Sequence, residues 1–285
     1  MRPTAPSRNL PGDARRSTEM DAMARSAGKS APPSASQASP AADASLSEQV
    51  YERLRKALMR AELLPLQRLK VRELARTMGT SETPVREALF QLAHEGAIEI
   101  KPRYYIRVRR PSLQEYTEIR DIRMMLEPMA AERALPHIDE VVIEELARTH
   151  DMLIAAEAAS DWPTALQANF DFHFGLYSRS GMAALTGVLE GLWIRIGPLL
   201  SELYPNASPS YADRHQHLNV LDALRAGDSY SLREAIRMDL MEGGNNLRRH
   251  LAATQSEAAP PKAMGTAAKN HVRGPRAAAL TRRRT

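Results

Sequence analysis

Residues 71–96 carry two short helical periods separated by a sharp turn, and no other stretch restricts the fold as tightly. VRELARTMG reads as a short helix stopped by Gly79, a residue suited to the left-handed conformation that ends helices. Ser81 or Thr83 opens the next helix, with Pro84 in its first turn, where the missing N–H costs nothing. Val85, Ala88, Leu89 and Leu92 form its buried stripe, and it stops near Gly96. Upstream, Ser45 or Ser47 caps a helix running to about Arg60, with Val50, Leu54, Ala57 and Leu58 on one face. Pro65 then breaks the chain. Downstream, IEIKPRYYIRVRR alternates Ile98 and Ile100, then Ile106 and Val108, with polar residues, which predicts two short strands around a turn. Helix, helix, tight turn, helix and hairpin, in that order, predict a winged helix-turn-helix over residues 45–110.

From Ser112 the helical period returns and stays. Ser112 is placed to cap a helix with Tyr116, Ile119, Ile122, Met125, Leu126 and Met129 inward, ending before Pro136. Further helices are expected at about 139–159, 163–179, 182–204, 210–226 and 228–251, broken at Asp161–Pro163, Gly181, Pro205–Pro209 and Gly227–Asp228. Strand signals are absent, so residues 111–252 predict an all-α bundle of six to seven helices, and the chain as a whole is mainly α. Residues 1–44 and 253–285 are rich in Ala, Ser, Pro and Arg without a hydrophobic period, and predict disordered tails.

Charge follows the same division. Residues 45–110 hold 14 basic and 8 acidic groups, whereas residues 111–252 hold 12 basic and 21 acidic ones. A basic block and an acidic block in one chain of net charge +5 predict two domains with different partners, the basic one suited to a polyanion. The chain has no Cys, which excludes disulfides, thiolate metal sites and a Cys nucleophile. It shows no apolar run approaching the roughly 18 residues of a membrane span, and no apolar stretch after its first basic residues, so a cytoplasmic location without membrane attachment is expected.

The basic block has the chemistry of a DNA reader. A recognition helix presents short polar residues at its N-terminus to the major groove and a basic residue one turn on. Ser81, Glu82 and Thr83 precede Arg86 in this way, and Arg72 stands where it reaches a phosphate. Lys101, Arg103, Arg107, Arg109 and Arg110 crowd the hairpin around Tyr104 and Tyr105, which suits contact with backbone or minor groove.

The string Glu73-Leu74-Ala75, Gly79, Ser81, Thr83-Pro84-Val85-Arg86-Glu87-Ala88-Leu89, Glu95-Gly96 resembles the DNA-binding half of the GntR family of bacterial transcription regulators. The resemblance spans residues 46–110. The family usually has Arg where Glu82 stands and Gly in the wing near Tyr105, and favours Gly where Ala61 and Leu66 stand. An acidic Glu82 is able to accept a hydrogen bond from a cytosine amine, which points to a different operator.

Residues 112–250 resemble the FCD domain, the ligand-sensing half of the FadR-like branch of that family. The likeness rests on Arg123 and Glu127, NFDFH, HLNVLDALRAGD and the last helix. It implies a metabolite-responsive dimer whose helices enclose a small carboxylic or sugar acid, often through a divalent metal. Helical spacing places Asn169 and His173 at i and i+4 on one inner face, His217 but not His215 on another, and Asp239 on a third. These match the family's metal positions, with Asn169 where Asp is common and Asp239 where His is common. The set suits Zn²⁺, Ni²⁺, Mn²⁺ or Fe²⁺; a metal-free polar pocket and plain core packing are the other readings. Arg123 and Arg195 are candidates to grip the acid's carboxylate. Arg123 has an alternative in an ion pair with Glu127, and Arg195 in a surface position.

The expected function is therefore a DNA-binding regulator, a homodimer on a short palindromic operator, controlled by a small acid and not an enzyme. Two other classes compete with it. A metal-dependent all-α enzyme would use the His/His/Asp cluster to activate water, but no general base stands beside it. An architectural DNA binder would have no use for a buried polar constellation.

Overall fold

In a computed structural model, the structure describes residues 40–258; the predicted tails lie largely outside them. Helices α1 (Pro40–Met59), α2 (Val71–Met78) and α3 (Glu82–His94) lead into strands β1 (Ile98–Lys101) and β2 (Tyr105–Val108). The strands pair antiparallel with Ile98 opposite Val108 and Ile100 opposite Ile106. Gly79 ends α2 with φ 67°, and Ser81 stands at the N-cap of α3. The winged helix is therefore built as its periodicity predicts. Two details differ. α1 already runs from Pro40, because the Ala-rich segment before Ser45 has no helix breaker, so Ser45 and Ser47 lie inside the helix instead of capping it. Residues 66–69 add a third edge to the hairpin, with Leu69 N–H donating to the Ile106 carbonyl at 2.8 Å.

Ala61, Leu66 and Arg103 have φ of 57°, 63° and 66°. Ala61 and Leu66 lie in the segment before α2 and Arg103 in the hairpin turn, and at Ala61 and Leu66 an L side chain adopts what glycine does without steric cost.

The helical region comprises α4 (Leu113–Ala134), α5 (Glu140–Ala158), α6 (Trp162–Tyr177), α7 (Ala183–Leu200), α8 (Gln216–Ala226), α9 (Ser229–Gly243) and α10 (Asn245–Ala258). Ser112 caps α4 by accepting from the Glu115 N–H, Asp161 caps α6 and Asp228 caps α9. Three boundaries move, the first being the end of α7, which comes at Leu200 and not at 204. Residues 201–215 are irregular, so α8 starts six residues later than its apolar period suggests, capped by His215. The last predicted helix divides at Gly243–Gly244, where Gly244 comes so close to Tyr116 that a Cβ would lie 2.6 Å from the phenol oxygen.

The inward stripe of α4 is also different. Ile122, Met125 and Met129 are 44%, 75% and 40% exposed, while Arg123 and Glu127 are buried. Turning Arg123 and Glu127 inward satisfies both charges and leaves an apolar strip, at i, i+3 and i+7, on the outside. Against the expectation that no apolar run approaches a membrane span, α7 is long and apolar enough for one by length and composition, with mean hydropathy 1.3 over 18 residues. Leu189, Trp193, Ile194, Ile196 and Leu199 are buried in the protein, as in the core helix of a bundle.

One apolar cluster joins the two halves. Val50, Leu54, Leu58, Leu89 and Leu92 of the winged helix pack with Phe170, Trp193 and Ile194 of the helical region. Gly197 permits this approach, since a Cβ there would stand 2.9 Å from Met59 Cα and nearer still to the Leu58 carbonyl. Bidentate pairs from Arg109 to Glu115 (3.2 and 3.1 Å) and from Arg110 to Glu202 (both 2.7 Å) fasten the hairpin's exit. Arg109 and Arg110 thus face the helical region.

Candidate functional site

The start of α3 is the part of the winged helix best suited to nucleic acid. Buried Val85, Ala88, Leu89 and Leu92 anchor its inner face, leaving Ser81, Thr83 and Arg86 exposed. Glu82 accepts from Arg86 at 2.8 Å and from Arg72, on α2, at 3.0 Å. Those two hydrogen bonds hold its carboxyl below the usual carboxylate range. Glu82 therefore ties both arginines together at the helix N-terminus. Lys101 and Arg103 are exposed at the wing tip, Lys101 4.9 Å from the Tyr104 ring centre. Arg107 is more engaged, paired with Glu99 and over the Tyr105 ring at 4.4 Å.

A second site lies inside the helical region. Arg123 from α4, Asn169 and His173 from α6, Trp193 from α7, Tyr211 from the 201–215 loop and Asp239 from α9 line one cavity of about 60 Å³. The side chains behind it form a continuous buried hydrogen-bonded chain. Glu127 accepts from Arg123 at 2.5 Å and from the Trp193 indole at 2.8 Å through one oxygen, and from Tyr177 at 2.8 Å through the other. Tyr177 Oη lies 3.0 Å from His173 Nδ1, and His173 Nε2 lies 3.3 Å from Asp239. The Arg123 guanidinium also sits 4.3 Å from the Trp193 ring centre, a cation–π contact. Arg123 thus both lines the cavity and makes the pair with Glu127.

His217 is fully buried, stacked on Phe172 at 3.7 Å, with Nε2 4.0 Å from Asp239. Neither of its ring nitrogens has a hydrogen-bond partner among the described residues. Burial, then the neighbouring His173, His215 and His150, push its pKa well below the usual imidazole range. A neutral imidazole with a free lone pair is the form that binds a cation. One ligand atom from each of His173, His217 and Asp239 falls within 4.8 Å of the others. The donors of a tetrahedral site with bonds of about 2.1 Å stand roughly 3.4 Å apart, so small side-chain shifts suffice. The three residues fit a divalent ion, and Asn169 lines the same cavity.

Arg195 is not on the cavity wall. Its guanidinium donates to Glu115 at 2.7 Å, beside Arg109. The helical period offers no means of separating a residue on the pocket side of α7 from one on the side of α4's first turn. Sequence reasoning also missed Trp193, Tyr211, His150 and His215. His215 was set aside as off the inner face of its helix; it precedes that helix, and its 4.3 Å ring-centre distance to His217 comes from the loop's path.

A winged helix packed through a shared core onto an all-α bundle with a buried polar cavity defines a transcription regulator with a sensor domain. Residues 46–108 match the family model "Bacterial regulatory proteins, gntR family", and residues 118–242 match the FCD domain. The HTH-type transcriptional regulator McbR of Escherichia coli (strain K12) is 33% identical over 195 residues, covering 67% of this chain and 88% of McbR. The HTH-type transcriptional repressor RspR of the same strain is 25% identical over 204 residues, 71% of this chain and 89% of RspR. The solved structure of E. coli McbR/YncC superposes with a TM-score of 0.63 and 29% identity, over 75% of this chain and 99% of that one. The chain belongs to the GntR family of transcription regulators and carries the FCD effector-binding domain, and its relatives are regulators, not enzymes.

Proposed function

We propose that this regulator binds a short palindromic operator as a homodimer, in the cytoplasm, and that a small carboxylic acid in the α4/α6/α9 cavity sets its DNA affinity. The observation that carries this reading is the pair of unpartnered His217 nitrogens, buried beside His173 and Asp239. Such groups cost free energy unless a ligand satisfies them. His173, His217 and Asp239, with Asn169, would hold a divalent cation of the Zn²⁺, Ni²⁺, Mn²⁺ or Fe²⁺ type, which supplies positive charge for the acid's carboxylate. Arg123 supplies the second grip; Arg195 is left out of the effector set because Glu115 holds it.

A cavity of about 60 Å³ admits an ion and a few waters. A carboxylic acid therefore enters with a shift of the loop that carries Tyr211. A carboxylate on Arg123 competes with Glu127, so the Glu127 oxygen that Arg123 shares with the Trp193 indole changes partners and Trp193 readjusts. Trp193 shares its apolar cluster with Leu54 and Leu58 of α1, so the change reaches the winged helix directly. A ligand shifts only states that it binds unequally, and this contact is where the two states differ.

On DNA, Arg86, Ser81, Thr83 and Glu82 read the groove, Arg72 takes phosphate, and Lys101, Arg103 and Arg107 serve the wing. The exposed strip Ile122, Met125 and Met129 supports a two-fold interface along α4. The test is a thermal-shift screen of small mono-, di- and hydroxycarboxylic acids with and without Zn²⁺, followed by operator titrations with each hit. A hit that changes operator affinity several-fold supports the reading; hits that stabilise the protein and leave operator affinity unchanged contradict it.

A further inference from the structure

Four potential metal ligands surround His217, more than one ion position needs. Besides His173 and Asp239, His150 from α5 and His215 at the start of α8 reach the same ring. One nitrogen from each of His150, His215 and His217 lies within 4.8 Å of the other two. The ring centres of His150 and His215 are 4.9 Å apart, and that of His150 is 5.5 Å from His217. His150 is 4% exposed, and its Nδ1, like both nitrogens of His217, has no hydrogen-bond partner among the described residues. His215 Nδ1 accepts the His217 backbone N–H at 3.1 Å, so ligation by His215 exchanges that helix cap for a metal bond.

We propose that His150, His215 and His217 form a second, all-imidazole cation position, adjacent to the His173/His217/Asp239 position and exclusive with it. Three neutral nitrogen donors suit borderline 3d dications such as Zn²⁺, Ni²⁺, Co²⁺ and Cu²⁺, and disfavour Mg²⁺ and Ca²⁺. Exclusivity follows from His217. Filling both positions requires its ring to lose its last proton and bridge two buried dications, with Asp239 the one carboxylate in either donor set. One ion per chain therefore takes either position. When it sits among the three imidazoles, His173 and Asp239 are free to face the cavity. The proposal stands whether or not an acid effector binds, so its failure is separable from that of the regulatory reading.

The experiment is titration of chelator-stripped full-length protein with Zn²⁺ and Co²⁺, read by elemental analysis, calorimetry and Co²⁺ absorption. The His173→Gln/Asp239→Asn variant disables the first position, and His150→Gln/His215→Gln disables the second. Wild type and both variants are each expected to bind one ion per chain. His217→Gln is expected to bind none. Adding His150→Gln to the first variant is expected to abolish its Co²⁺ bands. If His173→Gln/Asp239→Asn binds no ion while wild type binds one, the second position is overturned and the first survives. Two ions in wild type overturn the shared-ring account, and none overturns both positions. Circular dichroism checks the fold, and if the double variant loses helicity, Asp239→Asn alone gives the same comparison.

Discussion

Trp193 donates its indole N–H to Glu127 at 2.8 Å, and this one residue of α7 both lines the cavity and belongs to the apolar cluster shared with the winged helix. Trp193→Phe keeps an aromatic ring at this buried position but removes the donor and part of the indole's bulk. It is expected to destabilise the fold by about 1–3 kcal/mol, since the buried Glu127 carboxylate loses a partner. Urea denaturation measures the loss. The same variant is expected to weaken the effect of any cavity ligand on operator binding.

Glu82 sits between Arg72 and Arg86 at the N-terminal end of α3, the end proposed to read the groove. Arg86→Ala is expected to cost about 1–3 kcal/mol of specific binding. Arg103→Ala weakens specific and non-specific DNA alike and flattens the salt slope. Glu82→Gln releases both arginines from an anion, so non-specific affinity rises and operator preference changes. Gel-shift titrations at two salt concentrations, on operator and random duplexes, read all three.

Met125, the most exposed member of the α4 strip, is 75% exposed in one copy of the chain. Met125→Asp places a charge in the proposed dimer contact and is expected to give a folded monomer with weak operator binding. Light scattering that shows an unchanged dimer would remove α4 from the interface.

Glu115 couples the wing to α7 through Arg109 and Arg195. Burial alone raises its carboxyl pKa, but hydrogen bonds and charge from Arg195 and Arg109 outweigh burial and hold it below the ordinary value. The unfolded chain therefore takes up this proton at higher pH than the fold does. The stability Glu115 contributes is full above the usual carboxylate range and is lost as pH falls through the depressed folded value. Glu115→Gln is expected to cost about 1–3 kcal/mol at neutral pH and nothing once wild-type Glu115 is itself protonated. Stability curves of the two proteins against pH should converge in acid.

The winged helix was legible because each signal was local: Gly79, Pro84 and the alternation about Ile98 to Val108 speak for themselves. The inner faces of α6 and α9 were legible for the same reason, and His173, His217 and Asp239 do meet. α4 was misread because a helix that hides Arg123 against Glu127 and shows Met125 to solvent inverts the usual hydrophobic rule. Arg195 and Arg109 turn on which neighbour a long side chain meets, and periodicity holds no such information. His150 and His215 come from a helix face and a loop that only the folded chain brings to His217.

The central claim is that cavity and operator are separate sites joined through Trp193, and His173 tests it most directly. Fluorescence anisotropy on the operator recovered by the purified protein is measured for wild type and His173→Ala, with and without the acid found by thermal shift. The account predicts equal operator affinity without acid, a change of about 5–150-fold with acid for wild type, and no change for His173→Ala. Loss of operator binding by ligand-free His173→Ala, with its helical circular dichroism intact, would contradict it.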